Sequence, residues 1–519
     1  GTSIFSPLPE GQAKALRRCY KVAGYGPSTV ELVEAHGTGT IAGDLAEFEG
    51  LCMVFDETDR KDRNWCALGS IKSQIGHTKS AAGVAGLIKA IMALHNKVLP
   101  PTIKVDRPDP RLDLNRSPFY INTKAGPWIR DASHPRRASI SSFGFGGANF
   151  HVTAEEYTGP GNHARQQRAF PSELLLFASE SEQGLATACQ KHAEDLHING
   201  ILPFLAQTSQ DAFNFESAAR LAIVATDEID LAKKIKQALT TLNQKPGESF
   251  SLPDGIHYRF GDKTPGLVAY LFPGQGSQYL GMGADLAMHR ETARAIWDMA
   301  AEIRMDDDTA LQDVVFPPPA FSKAERTEQA DRLTRTDWAQ PAISTASLSM
   351  LALLESLGIR QDCVGGHSLG EVSALVAANI VDASSAIIIA RRRGELMAEA
   401  ASVPGAMTAV FQSLDKIRIL LEEWNSETTI ANHNGPNQVV LSGPVPAIEE
   451  VERRLAEQEI LFQRLSVATA FHSPLVGDCC DPFFEFLKGF SFGAPAIPLY
   501  SNSEAAPYPN QVEGIRQLL

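Results

Sequence analysis

Val364-Gly365-Gly366-His367-Ser368-Leu369-Gly370-Glu371 runs from an apolar approach through Gly-His-Ser-Leu-Gly into an amphipathic helix beginning near Glu371. Serine at a sharp strand-to-helix turn reads as a nucleophile elbow, the geometry needed to attack an ester or thioester. Glycines at 366 and 370 let neighbouring backbone pass close by, and the helix start offers N–H groups to a developing oxyanion. Taken alone, the pentapeptide fits an ordinary loop as well.

Upstream of the elbow, Gly266 to Phe272 reads as a buried strand followed by Pro273-Gly274-Gln275-Gly276-Ser277-Gln278. Glycine on both sides of Gln275 lets its backbone N–H turn towards a ligand. No Lys follows in the P-loop position, which weakens a nucleotide reading, and a non-catalytic turn stays open. Gln340-Pro341-Ala342-Ile343 opens a long helix to Leu357. Arg393 falls 25 residues after Ser368, on the second helix following it. Its planar fork suits a carboxylate, although three arginines in a row, Arg391 to Arg393, also fit a solvated charged face.

Between Ala406 and Val467 the order is strand, helix, strand, strand, helix, strand, which is ferredoxin-like. Directly after it, Thr469-Ala470-Phe471-His472-Ser473 delivers a histidine 104 residues beyond Ser368. Such an imidazole can take the serine's proton and return it to a leaving thiol, but a histidine after a strand is also commonly structural.

The amino-terminal segment, about 1–157, alternates helical and extended patterns: Gln12 to Ala23 helical, Thr29 to Glu34 extended, Asp44 to Phe55 helical. Glu34-Ala35-His36-Gly37-Thr38-Gly39-Thr40 holds one imidazole at a strand tip. Gly69 to Thr78 places Lys72 and His77 ahead of the Ala- and Gly-rich helix Ser80 to Leu94. From about 158 the texture changes, with Gly159-Pro160-Gly161 and the polar run Asn162 to Arg168 marking a connection. A small α/β domain to about 265 follows, in which Glu173 to Ser179 and Arg220 to Ala225 are strands and Glu182 to Leu196 and Glu228 to Leu242 are helices. His192, His197 and His257 lack metal-ligand spacing.

A chain of 519 residues is too long for one core and predicts about three domains. A net charge of -14 argues against a nucleic-acid surface. The apolar stretches Ala81 to Leu94 and Val372 to Ile389 are interrupted before reaching membrane-spanning length. Seven cysteines without paired spacing read as reduced thiols in the cytoplasm, and no signal peptide is evident at Gly1 to Phe5.

The motif from Glu34 to Thr40, the Lys72-to-His77 spacing, Leu99-Pro100-Pro101-Thr102 and Ser142-Phe143-Gly144-Phe145-Gly146-Gly147-Ala148-Asn149-Phe150-His151 look like the C-terminal half of a β-ketoacyl synthase of polyketide synthase type. The resemblance implies that His36 and His77 assist decarboxylation and stabilise the enolate and thioester oxyanion. It also implies that Lys72 orients His77 through a charge network and that Phe145 lies beside the acyl channel. The family's nucleophilic cysteine belongs to a preceding half. Cys189, which comes after the histidines, is read as a decoy. Gly1 is accordingly expected to lie within a longer polypeptide, at a cleavage point or break, with the missing half supplied by another chain.

Gly-Gln-Gly-Ser-Gln, Gly-His-Ser-Leu-Gly, Arg393, Asn432-His433-Asn434 with Gln438-Val439-Val440-Leu441-Ser442-Gly443, and Ala-Phe-His-Ser resemble malonyl-CoA:acyl carrier protein transacylases over about 267–505. An α/β-hydrolase would need an acid between serine and histidine and has no use for Arg393. A serine thioesterase or hydrolase, or a docking scaffold, is the competing class. The implied fold is α/β throughout: the C-terminal half of a thiolase-like ketosynthase (1–157), a linker domain (158–265), and an acyltransferase (266–519). The last pairs an α/β-hydrolase-like large subdomain with a ferredoxin-like small one, about 405–468.

The implied chemistry is ping-pong transfer through Ser368 and His472, with the backbone N–H groups of Gln275 and Leu369 as oxyanion donors. Arg393 would receive a carboxylate, and Phe471 would leave little room for an α-methyl. Gln340 and His367 complete the substrate-binding set. Malonyl-CoA is the expected substrate and a carrier-protein phosphopantetheine the acceptor, with no metal and no covalently bound cofactor. A twofold dimer through the ketosynthase is expected. The wording Gly69 to Leu99, Asn149 to Val152 and Leu271 to Met282 looks most like a bacterial polyunsaturated fatty acid synthase, with enediyne-type iterative and modular polyketide synthases as near relatives.

Overall fold

A computed structural model describes residues 6–161, 170–261, 266–303, 305, 309–400, 404–465 and 470–519. The connection expected at Asn162 to Arg168 lies outside these residues, as do Ser466, Val467 and Thr469 in the approach to His472.

The first strands are β1 (Leu32–Glu34), β2 (Cys66–Gly69), β3 (Val98–Leu99), β4 (Phe119–Ile121), β5 (Gly126–Pro127), β6 (Arg137–Phe143) and β7 (Asn149–Glu155). They form a sheet in the order β4-β2-β1-β6-β7, parallel except for β7, with β3 and β5 paired separately. β1 and β2 are buried at every residue, as parallel strands covered on both faces must be. Helices Pro9–Ala23 and Ile41–Phe55 cover one face through Leu16, Tyr20, Leu51 and Phe55. Helix Ala82–Asn96 covers the other with Ala90, Ala93 and Leu94, while Val84, Ile88 and Ile91 on its opposite side stand exposed.

Arg165–Leu267 is a compact unit of its own. Its strands β8 (Glu173–Ser179), β9 (Ala219–Ala225), β10 (Phe250–Leu252) and β11 (Ile256–Phe260) form an antiparallel sheet ordered β10-β11-β9-β8. Helices Glu182–Glu194, Leu202–Asp211 and Glu228–Gln244 share its core. The β10-β11 hairpin and the middle helix add to the elements read from sequence. Cys189 is fully buried in this core and its thiol is pushed up to about 12 by burial, so it is not a nucleophile.

The remaining strands are β12 (Ala269–Phe272), β13 (Cys363–Gly366), β14 (Gly405–Val410), β15 (Thr429–Gly435), β16 (Gln438–Pro444), β17 (Phe462–Arg464) and β18 (Leu499–Tyr500). β12-β13-β18 is a parallel sheet, and β15-β16-β14-β17 is antiparallel with the ferredoxin-like order. Helix Thr336–Ser356 forms the shaft of the large subdomain, buried from Thr336 through Ser349. It begins four residues before the expected start at Gln340 and carries Pro341 inside. Proline cannot donate to the carbonyl of Asp337, and Arg391 Nη1 does so instead at 2.7 Å.

The first and last segments belong to one compact unit. Arg136, 1% exposed, donates to Trp128 O at 2.6 Å, Glu156 at 2.8 Å and Asp298 at 2.6 Å, and Asp298 also accepts the Arg130 N–H at 2.7 Å. Asp298 lies on helix Glu291–Ala300, while Ile129 joins the large subdomain's apolar core.

Candidate active site

β13 lies between β12 and β18, so the turn that ends it opens at the carboxyl edge of a parallel sheet. Helix Gly370–Ala377 starts immediately, and Ser368 takes φ +52°, a left-handed conformation that serine rarely adopts. A Cβ on Gly366 would come within 2.0 Å of the Gly370 carbonyl carbon, and one on Gly370 within 2.1 Å of Phe272 O. The elbow therefore requires both glycines. Asn502, just after β18, braces it: its Oδ1 accepts the Ser368 N–H at 2.7 Å and its Nδ2 donates to Gly366 O at 2.6 Å. Buried Glu371 accepts from the Asn502 N–H at 2.9 Å and from the Tyr508 hydroxyl at 3.0 Å.

Ser368 Oγ meets His472 Nε2 at 2.8 Å, and Arg393 Nη2 donates to the same oxygen at 3.3 Å. All three side chains line a cleft of about 1070 Å³ together with His367, Met397 and Asn434. Solvent reaches His472 from the cleft, but protein surrounds it otherwise. That lost hydration, with the positive Arg393 and with His367, lowers its pKa to about 4. The imidazole is thus neutral and ready to accept a proton at neutral pH. Burial also lowers the Arg393 pKa from its usual range.

The three consecutive arginines divide their work. Arg391 caps Asp337 O, Arg392 pairs with Glu395 at 3.2 Å near the surface, and Arg393 turns into the cleft. Gln340, fully buried, stands behind the guanidinium and accepts from Arg393 Nη1 at 2.9 Å. His367 Nε2 meets Asn434 Oδ1 at 3.1 Å, linking the elbow to the small subdomain. Phe471 is 8% exposed and packs with Met397, Met407 and Val440 where the two subdomains adjoin.

The Gln275 loop lies directly on the elbow, where a Cβ on Gly274 would come within 2.4 Å of His367 O. Among the described residues, neither the Gln275 nor the Leu369 backbone N–H meets an intramolecular acceptor.

In the amino-terminal sheet, His36 follows β1 and His77 follows β2, adjacent parallel strands, and their rings stand 5.4 Å apart at 87°. Burial, then the charge of Lys72, then His77, hold His36 down at about 4. The Lys79 N–H donates to His77 Nδ1 at 3.0 Å, and His77 is likewise lowered, first by lost hydration and then by the charges of Lys72 and Lys79. Phe145, 74% exposed, sits on the turn before β7.

Glu47 was not legible as a site residue. Its carboxylate accepts the His36 and Gly37 N–H groups at 2.7 and 2.8 Å and fixes the histidine turn, at the cost of a pKa raised by burial to about 7. Asn502, Glu371 and Tyr508 were equally hidden, because each acts through a tertiary hydrogen bond without a local motif.

Residues 269–513 match the family of the acyl transferase domain, 1–106 the beta-ketoacyl synthase C-terminal domain, and 108–216 the ketoacyl-synthetase C-terminal extension. A polyunsaturated fatty acid synthase of Thraustochytrium sp. is 34% identical over 98% of the chain and 19% of its own length. The chain carries a ketosynthase C-terminal domain, its extension and an acyltransferase domain, and its homologues are type I polyketide synthases, a polyunsaturated fatty acid synthase among them. A phenolphthiocerol/phthiocerol polyketide synthase of Mycobacterium tuberculosis is also 34% identical, over 96% of this region and 32% of its own length. The region thus spans about a fifth to a third of these curated relatives. The acyl transferase domain of ZmaA superposes with a TM-score of 0.53 at 23% identity, over 68% of this chain and 78% of that one, which establishes a shared fold. Ser368, His472 and Arg393 therefore lie in an acyltransferase domain, and His36 and His77 in the C-terminal half of a ketosynthase.

Proposed function

We propose that the acyltransferase domain moves a malonyl group from CoA to the phosphopantetheine thiol of an acyl carrier protein. The observation that carries this is the meeting of serine, neutral imidazole and guanidinium at 2.8 and 3.3 Å in one cleft. Ser368 Oγ attacks the thioester carbonyl while His472 takes its proton. The carbon–sulfur bond breaks, the leaving CoA thiolate recovers that proton, and the malonyl group remains on the serine oxygen. The backbone N–H groups of Gln275 and Leu369, lacking internal acceptors, are suited to hold the tetrahedral oxyanion. The carrier thiol then attacks the acyl-serine, and His472 serves again in the reverse sense.

Arg393 supports the choice of a dicarboxylic acyl group, because a half-buried guanidinium facing the cleft and paired to a free carboxylate fixes both affinity and orientation. Met397 walls the cleft beside it, and Phe471, packed against Met397's cluster behind that lining, backs the wall, which favours malonyl over a branched extender. One methyl is worth about 1–3 kcal/mol, so the rejection is partial. His367, tied to Asn434, completes the rim.

For the ketosynthase part, His36 and His77 would assist decarboxylation of the loaded extender, with Lys72 tuning both rings and Phe145 bordering the acyl channel. The ketosynthase C-terminal domain implies an N-terminal half, which would bring the nucleophilic cysteine and the dimer contact. Its covering of Val84, Ile88 and Ile91 accounts for the exposed apolar side of helix Ala82–Asn96. The setting would be a cytoplasmic polyunsaturated fatty acid or polyketide synthase.

Radiolabelled malonyl-CoA, supplied with and without carrier protein, tests the reading. Label should reach the carrier only through the enzyme; release of free malonate at the same rate with or without carrier would instead identify a hydrolase.

A further inference from the structure

Behind the guanidinium, a line of side chains runs from Arg393 to the glycine-rich loop. Arg393 Nη1 donates to Gln340 Oε1, Gln340 Nε2 to Thr336 Oγ1, and Thr336 Oγ1 to Gln275 Oε1, each at 2.9 Å. The direction is forced. A guanidinium only donates, so it fixes the amide oxygen of Gln340 towards itself and leaves the amide nitrogen needing an acceptor. Thr336 and, at 3.2 Å, Met397 Sδ provide acceptors, and the one hydroxyl proton of Thr336 is left for Gln275. Gln340 is 0% and Thr336 8% exposed, so solvent is poorly placed to replace a lost partner. Hydrogen bonds aligned in one sense also polarise one another.

The backbone makes the position of Thr336 firm. It is the first residue of helix Thr336–Ser356, one turn ahead of Gln340 on the same face. Its carbonyl lies against Gly394, where a Cβ would come within 2.4 Å, next in sequence to Arg393.

We propose that Thr336 is a positioning residue for acyl transfer, whose hydroxyl sets the carboxylate receptor and the oxyanion loop together. It holds Gln340 in the orientation that aims Arg393, and it anchors the side chain of Gln275, whose acceptor-free backbone N–H is the proposed oxyanion donor. This rests on acyl transfer through Ser368.

The test compares Thr336→Val, Thr336→Ser and Gln275→Met in malonyl and acetyl loading from CoA. Thr336→Val lowers kcat for both acyl groups by about tenfold or more and raises KM for malonyl-CoA alone by several-fold, since only malonyl uses the guanidinium. Thr336→Ser restores both parameters to within about twofold. Gln275→Met, which leaves the buried helix untouched, reproduces the fall in kcat without moving the malonyl KM.

A purely structural threonine would lose active enzyme without changing KM. Wild-type kcat and KM in Thr336→Val, or a serine variant as impaired as valine, overturns the proposal. If Thr336→Val does not fold, an unchanged kcat in Gln275→Met overturns it as well. Failure of the wild-type chain to load malonyl on Ser368 would instead remove the acyl-transfer reading beneath it.

Discussion

Among single residues, the site is a problem in charge. In the proposed mechanism His472 accepts the serine proton and must therefore be neutral, and burial together with Arg393 and His367 lowers its pKa to about 4. A base with a depressed pKa stays competent down through mildly acidic pH and is lost as pH falls through about 4. Malonyl loading should therefore be flat across neutral pH with an acid limb near that value, measured as kcat/KM against pH. Arg393→Ala removes one cause of the depression, so its acid limb, read with acetyl-CoA, should move up towards the ordinary histidine range. The same variant should lose malonyl preference by on the order of 100-fold, as expected for charge-assisted hydrogen bonds of about 1.5–3 kcal/mol each. Unaltered malonyl selectivity would remove Arg393 from substrate recognition. Ser368, His472 and Arg393 were legible because each sits in a short pattern of its own. Thr336, Glu47 and Asn502 were not, since their partners lie 61, 11 and 134 residues away and no local spacing marks them.

Among the elements, the instructive case is helix Thr336–Ser356. Proline is usually read as a helix start, which puts the boundary at Gln340 and hides the first turn that carries Thr336. The chain continues the helix upstream because Arg391, on helix Ala383–Ala400, satisfies the carbonyl that Pro341 leaves unpaired. Replacing Arg391 by Met should cost about 1–3 kcal/mol in urea unfolding, the penalty for an unsatisfied buried carbonyl. Pro341→Ala restores an N–H for Asp337 O, so the cost of Arg391→Met should shrink in that background; additive costs would refute this role for Arg391. The ferredoxin-like subdomain was legible in full order because its strands and helices alternate with strong apolar patterns. The β10-β11 hairpin escaped notice because strands of three and five residues barely sustain a period.

Across the molecule, the ketoacyl-synthetase C-terminal extension and the acyltransferase domain are joined by buried charge as well as by chain. Arg136 is nearly inaccessible, and Asp298 reaches it from the acyltransferase side. Asp298→Ala leaves Arg136 and the Arg130 N–H each short of a partner, and should lower the urea midpoint by an amount equivalent to about 1–3 kcal/mol. An unshifted midpoint would show the contact to be incidental. The proposed ping-pong transfer, however, requires that Ser368 itself carry the acyl group. Intact-protein mass spectrometry after brief exposure to malonyl-CoA reads that intermediate without any coupled step. One malonyl adduct is expected, mapped to Ser368 and absent from Ser368→Ala; no adduct, or one that persists in that variant, would contradict the acyl-serine mechanism.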